Sequence, residues 1–268
     1  MKLCYNMLIR GEKMRLYNEE RRKYILDKLE INKNINVSEL SSELDVSEVT
    51  IRKDLDLLES KGLLKRVHGG AIKLKTLATK LSYSERTGQN IESKKAIAEK
   101  AATFLSDGLN IFLDAGTTTL ELVNHIVKYK DITVVTYDLE IAVSLGRYDH
   151  IKTIILGGTV EHETLCSLST QTYAFLEKLR ADIAFMACDA YDKDGAYCST
   201  DIKSDMKSMM VKNSKISILM SDVSKQNKKS LAIFADFDDF DYFINDKHDL
   251  STIEFYKEIK NKKVTIIK

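Results

Sequence analysis

From residue 93 onward the chain alternates short apolar runs with longer amphipathic runs, and this order restricts its fold more than any other feature. The apolar runs have the length of β-strands, whereas the runs between them repeat their apolar residues at the spacing of an α-helix. We predict strands at 110–113, 132–136, 151–156, 183–186, 216–220, 242–244 and 264–267. We predict helices at 93–105, 118–127, 139–145, 171–179, 204–212 and 252–260. This order builds a mainly parallel, doubly wound sheet with helices on both faces, so the expected fold class is α/β.

The N-terminal part of the chain follows a different pattern, which begins with two amphipathic helices. The first predicted helix covers 19–31 and has its apolar residues on one face. Residues 32–36 are rich in asparagine and have the chemistry of a turn. Ser38 is the expected N-cap of a short second helix at 39–44.

A third helix and a hairpin complete this part of the chain. Ser47 is the expected N-cap of the third helix, which continues to about residue 60 and has Gly62 at the position of a C-cap. Gly69 and Gly70 permit the positive φ angles of a tight turn between two short strands. Three helices with a short middle one, followed by a hairpin, predict a winged helix-turn-helix.

The third helix of such a fold places its N-terminal half in the major groove of DNA. The expected DNA-contacting residues are Ser47, Thr50, Arg52 and Lys53 near this helix, with Arg66 and His68 in the wing. Residues 1–75 hold 16 Lys and Arg against 12 Asp and Glu, and the remainder holds 25 against 28, which agrees with a basic DNA-binding part. The alternative is a three-helix dimerisation or protein-docking module with solvated charges, which Glu48 and Asp54 favour.

Composition excludes several other classes of protein. No apolar run is long enough to cross a membrane, and residues 1–14 are too polar for a secretory signal, so we expect a cytoplasmic protein. The four cysteines form no Cys-x-x-Cys pair and the five histidines stand at no zinc-ligand spacing, so we expect no disulfide framework, metal site or cofactor. The chain has no proline, and the joint at 73–82 also lacks glycine, so this joint is either helical or flexible.

The sequence IFLDAGTTTLEL is the clearest candidate for a ligand site. An apolar strand ends at Asp114, Gly116 permits a close approach of the backbone, and Thr117, Thr118 and Thr119 begin a helix. Backbone N–H groups at a helix N-terminus, the helix dipole and small hydroxyls favour an anion such as phosphate. The alternative is an N-cap that binds nothing.

Two further segments follow predicted strands and carry weaker indications of a site. Gly157 and Gly158 are part of LGGT, which is more often a plain turn than a binding loop. Asp222, Ser224 and Lys225 follow the strand at 216–220. A carboxylate and an ammonium three residues apart could bind a polyol phosphate or could form a surface ion pair.

Motifs in both parts of the chain resemble one known family. The sequences ERRKYILDKL and VSELSSELDVSEVTIRKDLDLLESKGLLKRVHGGA resemble the N-terminal domain of the DeoR family of bacterial transcriptional regulators. The motifs KKAIAEKAA, DAGTTT, TVVT, LGGT and SDVSK occur in the order typical of that family's effector domain, which is similar in fold to sugar-phosphate isomerases. The resemblance covers about residues 20–245, and it identifies Thr50, Arg52 and Lys53 as recognition-helix residues.

The resemblance implies a function for the chain. Members of the family are DNA-binding regulators, most often repressors, that sense a phosphorylated sugar or related metabolite and control genes of carbohydrate metabolism. The implied partners are a double-stranded DNA operator, a phosphorylated sugar and further copies of the chain in a homo-oligomer. The implied organisation is a DNA-binding domain at 14–72 that starts at Met14, a linker at 73–82 and an effector domain at 83–268.

The resemblance also implies roles for individual residues in the effector domain. Asp114, Gly116, Thr117 and Thr118 would hold the phosphate. Gly157 and Gly158 would line the pocket, and Asp222 and Lys225 would contact the sugar. Lys94, which matches a family lysine before a helix, is a further candidate.

The chain departs from the family pattern at several positions near the expected pocket. The departures are Tyr137-Asp138 in place of an asparagine, Ser169 in place of a glycine, Ala187-Cys188-Asp189-Ala190 in place of G-x-D-G, and Lys207-Ser208 in place of Lys-Arg. They leave open a regulator whose sensor is degenerate. A sugar-phosphate isomerase-type enzyme is the second alternative, with Asp114, Asp189 or Asp222 as its general base.

Overall fold

The structure, a computed structural model, describes residues 18–32, 34–60, 63–72, 83–247 and 250–267. The chain divides into two units, Met1–Thr79 and Lys80–Lys268. Three expectations lie outside the described residues: the start at Met14, the C-cap at Gly62 and the linker at 73–82. The domain limits given above therefore stay predictions.

The described part of the N-terminal unit consists of three helices and a small antiparallel sheet. Its elements are α1 (Asn18–Asn32), β1 (Asn34–Asn36), α2 (Val37–Leu44), α3 (Glu48–Ser60), β2 (Lys65–Val67) and β3 (Gly70–Ile72). Strand β3 lies between β1 and β2 and pairs antiparallel with both. Ile25, Leu40, Ile51 and Leu55 from the three helices form one buried core with Ala71 of the hairpin. The predicted winged helix-turn-helix is confirmed.

Two local predictions in this unit are wrong. Residues 34–36 form β1 rather than a turn, because they pair with β3 and thereby bury Ile35. The second helix begins at Val37, and its N-cap is Asn36 rather than Ser38. The side chain of Asn36 accepts a hydrogen bond from the backbone N–H of Ser38 at 2.9 Å, which satisfies one of the first helical donors.

The two glycines of the wing have different functions in the fold. Gly69 has a φ of 81° at the turn between β2 and β3, as the sequence predicts. Gly70 instead lies in β3, where a Cβ atom would stand 2.0 Å from the backbone oxygen of Ile35. Glycine is therefore needed at this position because β1 and β3 approach each other closely.

The C-terminal unit is built around a seven-stranded parallel sheet. Its helices are α4 (Tyr83–Gly88), α5 (Ile91–Ala101), α6 (Thr117–Glu121), α7 (Val123–Ile126), α8 (Leu139–Leu145), α9 (Thr170–Leu176), α10 (Asp201–Lys212) and α11 (Leu250–Glu258). Its strands are β4 (Asn110–Leu113), β5 (Ile132–Thr136), β6 (Ile151–Ile155), β7 (Thr159–Glu161), β8 (Cys166–Leu168), β9 (Ala181–Met186), β10 (Ala190–Asp192), β11 (Gly195–Cys198), β12 (Ser214–Met220), β13 (Ala232–Ala235), β14 (Tyr242–Ile244) and β15 (Thr265–Ile267). The parallel sheet has the order β15-β14-β12-β9-β4-β5-β6.

Each face of the parallel sheet has its own hydrophobic core. Along β4, Ile111 and Leu113 point into one core and Phe112 points into the other. The first core includes Ile97 of α5, and the second includes Met206 of α10. Helices therefore cover both faces, which confirms the predicted doubly wound arrangement.

The strand order reverses at β4, and this determines where a ligand can bind. Strands β5 and β6 lie on one side of β4, while β9, β12, β14 and β15 lie on the other. In doubly wound sheets, ligands bind beyond the carboxyl ends of the strands at such a reversal. The crevice expected from this rule lies where β4 and β9 end.

The seven predicted strands and six predicted helices are present close to their predicted bounds, although 118–127 is divided into α6 and α7. The sequence did not indicate α4 or the short strands β7, β8, β10, β11 and β13. Strands β7 and β8 form an antiparallel hairpin, and β10, β11 and β13 form a second antiparallel sheet. No helix of the described residues is long and apolar enough to span a membrane.

The acidic run near residues 235–246 contains buried aromatic residues. Phe237, Phe240 and Phe243 are buried, and Phe237 and Phe243 each pack edge-to-face against Tyr191 and Phe255. Aspartates stand between these phenylalanines, so the segment looks polar when only its charges are counted. The segment is therefore part of the core.

Candidate functional sites

One face of α3 is buried in the core and the opposite face is exposed and basic. Ile51 and Leu55 are fully buried, whereas Arg52 and Lys53 are exposed and Val49 is 58% exposed. This is the division that the sequence predicted from helical periodicity. The exposed face has the cations and the apolar side chain that major-groove contacts use.

Ser47 and Thr50 are bonded to each other at the start of α3. The hydroxyl of Ser47 accepts a hydrogen bond from the backbone N–H of Thr50 at 3.2 Å and lies 2.9 Å from its hydroxyl oxygen. Ser47 therefore caps the helix, as expected. Contact of either residue with DNA stays a prediction.

The two arginines of the expected DNA-binding set differ in their surroundings. Arg52 forms a half-exposed ion pair with Glu48 at 2.5 Å, which an entering phosphate or base could replace because surface pairs are weak. Arg66 forms an ion pair with Asp56 and donates a hydrogen bond to the backbone oxygen of Arg52 at 3.2 Å. Glu59 accepts the backbone N–H of Arg66 at 2.7 Å. Arg66 thus fastens the wing to α3, while His68 is exposed at the turn of the hairpin.

Asp54 does not face the expected DNA surface. It is buried, and its carboxylate accepts hydrogen bonds from Nε of Arg21 at 2.6 Å and from Nε of Arg22 at 2.8 Å. Asp54, one of the two acidic residues that favoured a docking module, therefore forms ion pairs that join α3 to α1.

A narrow cleft lies at the carboxyl ends of the parallel strands, where the strand order reverses. Gly116 follows β4, Tyr137 follows β5 and Asp189 follows β9, and all three contribute to its lining. Its remaining walls come from α4, α10 and the β7–β8 hairpin, and they include the cationic side chains of Arg86, Lys203 and Lys207. The position of the cleft agrees with the rule for doubly wound sheets.

Asp114 contacts two lining residues of the cleft, Lys207 and Tyr137, and its carboxylate is already bonded. It is fully buried, pairs with Lys207, and accepts hydrogen bonds from the hydroxyl of Tyr137 and from the backbone N–H of Ala187 at 2.8 Å. Burial alone would lower the pKa of Lys207, but the carboxylate of Asp114 outweighs it and the pKa is raised. A carboxylate has no donor to offer a phosphate, and Asp114 holds Lys207 in place. Contact of Asp114 with an effector stays a prediction.

The rest of the DAGTTT segment is only partly available to a ligand. The backbone N–H of Gly116 donates to the carboxylate of Asp138 at 3.2 Å. The hydroxyl of Thr119 lies 2.7 and 2.8 Å from two backbone oxygens of its own loop, to which it donates. Contact of Thr119 with an effector stays a prediction. Thr117 and Thr118 are buried residues that begin α6, and no described residue accepts their backbone N–H groups.

Asp138 is a buried carboxylate at the edge of this loop. It caps α8 by accepting hydrogen bonds from the backbone N–H groups of Glu140 at 2.9 Å and Ile141 at 3.1 Å. Burial raises the pKa of Asp138 to about 6, although these bonds and the one from Gly116 oppose the rise. The carboxyl group of Asp138 therefore titrates closer to neutral pH than an ordinary aspartate.

The glycines of LGGT shape the hairpin instead of lining the cleft. A Cβ atom on Gly158 would stand 2.4 Å from the carbonyl carbon of Leu168, so only glycine fits where β8 ends. The backbone oxygen of Gly157 accepts a hydrogen bond from the hydroxyl of Thr172. Neither glycine is among the lining residues of the cleft, and their contact with an effector stays a prediction.

The residues after β12 form a separate group of charges. Asp222 is buried and caps the short 3-10 helix Val223–Lys225, accepting the backbone N–H of Ser224 at 2.9 Å. Burial alone would raise the pKa of Asp222, but Lys225 and the hydrogen bonds from Ser224 outweigh it and the pKa is lowered. The ammonium of Lys225 donates to the backbone oxygen of Cys188 at 2.7 Å. These residues do not line the cleft.

Lys94 connects this group to the cleft. It is buried, and its ammonium donates to the backbone oxygen of Arg86, which is a lining residue. Burial lowers the pKa of Lys94, and the nearby ammonium of Lys225 lowers it further. Contact of Lys94, Asp222 or Lys225 with an effector stays a prediction.

Arg86, Lys203 and Lys207 are the residues of the site that sequence reasoning missed. Lys203 and Lys207 are four residues apart in α10, and each is 5% exposed. Their neighbours Met206 and Met210 are also buried, so the two lysines lie on the inward side of the helix. Lys203 and Lys207 could have been found from the sequence, because they stand at helical spacing beside the apolar residues of the same helix.

The departures from the family pattern are accommodated by local bonds. Ser169 caps α9 by accepting the backbone N–H of Thr172 at 3.1 Å. Cys188 is buried, its thiol lies 3.3 Å from the hydroxyl of Ser221, and burial raises its pKa to about 11. Cys166 and Cys198 are also free and buried, and the described residues contain no cluster of ligands suited to a metal ion.

Comparison with known proteins identifies a family for each of the two parts of the chain. The DeoR-like helix-turn-helix domain matches residues 21–77, and the DeoR C-terminal sensor domain matches residues 89–247, which is more than half of the chain. Among solved structures, the chain is similar to ribose 5-phosphate isomerase A from Methanocaldococcus jannaschii, with a TM-score of 0.37 and 16% identity over 52% of this chain and 55% of that one. This last similarity is too low to support a conclusion.

Several transcriptional regulators are similar to almost the whole chain. The HTH-type transcriptional regulator GlpR of Haloferax volcanii is 32% identical over 85% of this chain and 89% of its own length. The uncharacterised HTH-type transcriptional regulator FruR of Bacillus subtilis is 34% identical over 89% and 95%. The lactose phosphotransferase system repressor of Staphylococcus aureus is 31% identical over 84% and 92%. The chain therefore belongs to the DeoR family, and it is a DNA-binding transcriptional regulator rather than an enzyme.

Proposed function

We propose that the chain is a repressor of carbohydrate-metabolism genes that acts in the cytoplasm and is controlled by a phosphorylated sugar. The observation that supports this most directly is the set of three cationic side chains, Arg86, Lys203 and Lys207, in one cleft at the reversal of the strand order. Charge-assisted hydrogen bonds from such groups bind phosphate more strongly than they bind neutral sugars. A relative named as the lactose phosphotransferase system repressor supports the link to carbohydrates.

Repression follows if a homo-oligomer binds two operator half-sites. The recognition helices of a dimer must stand about one DNA turn, ~34 Å, apart to enter successive major grooves. A ligand that binds more tightly to a conformation with a different helix spacing favours that conformation and so lowers the affinity for DNA. The size of this effect is set by the ratio of the ligand's affinities for the two conformations. We propose Ser47, Thr50, Arg52, Lys53 and His68 as DNA contacts, with Arg66 supporting the wing.

The DNA-binding part of the proposal is tested with the promoter region beside the chain's own gene. The purified protein should bind this DNA more tightly than random DNA of equal length by a factor of about 10³ or more at moderate salt. Equal affinity for both would contradict sequence-specific regulation.

The effector part is tested by thermal unfolding with sugar phosphates and the matching unphosphorylated sugars. A ligand at 100 times its Kd adds about 2.7 kcal/mol of stability, which corresponds to a rise in Tm of about 5–10 °C. Lys203→Met should abolish the shift, whereas Lys215→Met, which removes an ammonium that is 80% exposed, should leave it unchanged. Absence of a shift with every phosphorylated ligand would indicate a degenerate sensor.

A further inference from the structure

Lys203 has a counter-ion that is more exposed than the lysine itself. Its side chain is 6% exposed, its ammonium forms an ion pair with Glu161, and it donates a hydrogen bond to the hydroxyl of Thr164 at 3.0 Å. The side chain of Glu161 is 28% exposed. A buried ammonium needs a negative partner, because an unpaired charge in this position is strongly destabilising.

The other lysine of the cleft has a fixed counter-ion. The side chain of Asp114 is 0% exposed, and its carboxylate is held in addition by Tyr137 and by the backbone N–H of Ala187. Removing Asp114 would leave the ammonium of Lys207 buried without its partner. The carboxylate of Glu161 also accepts a hydrogen bond from the hydroxyl of Thr164, but it is the more exposed of the two carboxylates and is therefore the one that an entering anion can reach.

Glu161 belongs to the outer strand of the β7–β8 hairpin. The inner part of the hairpin is bonded to the segment from the end of β5 to the start of α8, since the backbone N–H of Ser167 donates to the backbone oxygen of Tyr137 at 2.8 Å and that of Leu139 donates to the backbone oxygen of Leu165 at 3.0 Å. Thr159 and Val160 of β7 are exposed, and Glu161 is paired with Cys166 of β8. The carboxylate thus reaches α10 from the less buried strand of the hairpin.

We propose that Glu161 is a built-in competitor of the effector phosphate: it occupies Lys203 in the ligand-free protein, and an entering phosphate takes its place. This inference rests on the proposed function. A phosphate monoester brings nearly two negative charges and three acceptor oxygens, whereas the displaced carboxylate has one charge. The exchange therefore favours a phosphate over a monoanion, and a neutral sugar cannot drive it. Glu161 in this way sets the class of ligand that the cleft accepts.

The test compares the affinity of the full-length wild type, Glu161→Gln and Asp205→Asn for inorganic phosphate. Calorimetric titration is done at pH 7.5 and constant ionic strength. Asp205 is an exposed carboxylate of α10, the helix that carries Lys203, so its variant removes a charge of the same sign near the cleft without removing the ion-pair partner of Lys203. Glu161→Gln should bind phosphate at least about tenfold more tightly than the wild type, as expected when one charged competitor is removed. Asp205→Asn should bind like the wild type.

A second variant separates competition from a change in folding. Glu161→Asp keeps the charge but shortens the reach to Lys203, so its phosphate affinity should lie between those of the wild type and Glu161→Gln. Circular dichroism and the Tm measured without phosphate show whether Glu161→Gln has folded. If it has not, the phosphate affinity of Glu161→Asp is compared with that of the wild type instead.

The outcomes distinguish this inference from the proposed function. Phosphate binding by Glu161→Gln but not by the wild type would support the inference. Equal affinity in the wild type and both Glu161 variants would overturn it, while sensing of a phosphorylated sugar would stand. Absence of phosphate binding in all of them would overturn both the inference and the effector part of the proposed function, but not the DNA-binding part.

Discussion

At the scale of single residues, Asp138 links the expected phosphate loop to the next helix of the sheet. Its carboxylate accepts three backbone N–H groups, one from Gly116 and two from the first turn of α8. A carboxylate accepts all three bonds without a competing donor, which an asparagine amide cannot do. The bonds favour the charged form, but burial disfavours it more strongly, so the raised pKa reports the net environment.

The first prediction is that Asp138 makes the C-terminal unit less stable as the pH rises. Its folded pKa of about 6 lies above the ordinary value of 3.8, so its contribution to stability is full below about pH 3.8 and is lost as the pH rises through 6. The loss amounts to at most about 3 kcal/mol. Urea unfolding between pH 4.5 and 7.5 should therefore give a smaller pH dependence for Asp138→Asn than for the wild type.

Asp205→Asn is the matched control for this experiment, because Asp205 is exposed on α10. Its pH dependence should follow that of the wild type. Identical curves for Asp138→Asn and the wild type would mean that the carboxylate is solvated and not buried as the structure describes.

The second prediction concerns Asp54, which leaves buried arginine charge behind when it is removed. Arg21 is 5% exposed and Asp54 is 3% exposed, and breaking such a buried pair costs about 3 kcal/mol. In the full-length protein, Asp54→Asn should raise amide hydrogen exchange in α1 and α3 by about 100-fold. Asp27→Asn, which changes an exposed carboxylate of α1, should leave exchange unchanged. Slow exchange in Asp54→Asn would mean that the ion pair is not part of what holds these helices together.

At the scale of elements, the long parallel strands could be predicted from the sequence and the short antiparallel ones could not. A strand such as β4 or β5 is buried on both faces, so it reads as a continuous apolar run. β7 (TVE), β8 (CSL) and β10 (AYD) have three residues each and are not continuous apolar runs, unlike the equally short β14 (YFI). β7 pairs with β8 and β10 pairs with β11 in local hairpins, so it is the weak apolar pattern of these strands and not a distance along the chain that hides them.

The same distinction applies to the candidate site. DAGTTT and its position after a strand could be predicted because strand, glycine and threonines are contiguous. The partnership of Asp114 with Lys207 could not, since it joins residues 93 positions apart in sequence through a buried contact. The sequence pattern therefore indicated where the site lies, whereas only the structure distinguishes Asp114, which holds another residue, from cationic side chains that can meet a ligand.

The third prediction tests whether Lys53, on the exposed face of α3, contacts a DNA phosphate. Lys53 is exposed, so if it contacts a phosphate, Lys53→Ala should reduce the slope of log K against log salt by about 1. Lys128→Ala, an equal charge change in the C-terminal unit, should leave the slope unchanged. Fluorescence anisotropy with labelled promoter DNA at several salt concentrations measures both. An unchanged slope in Lys53→Ala would exclude a phosphate contact for this residue.

At the scale of the whole molecule, regulation requires that a ligand in one unit changes how the other unit binds DNA. The candidate effector cleft lies in the C-terminal unit and the exposed face of α3 lies in the N-terminal unit. Binding of phosphate and of DNA must therefore be coupled through the chain that joins the units or through the arrangement of copies in an oligomer. By linkage, operator DNA must lower the affinity for the effector by the same factor by which the effector lowers the affinity for DNA.

The fourth prediction tests the joining segment, which contains neither proline nor glycine between residues 73 and 82. A connector without these residues can transmit a displacement, whereas a Gly-Ser chain behaves as a flexible coil and transmits little. Inserting a Gly-Ser stretch after Lys75 should leave effector affinity intact and reduce the effect of the effector on operator binding. Calorimetry measures the first and anisotropy with promoter DNA measures the second. An insertion of equal length with helix-forming residues serves as the control, and unchanged coupling in the Gly-Ser protein would mean that the segment is only a tether and that coupling passes through the oligomer.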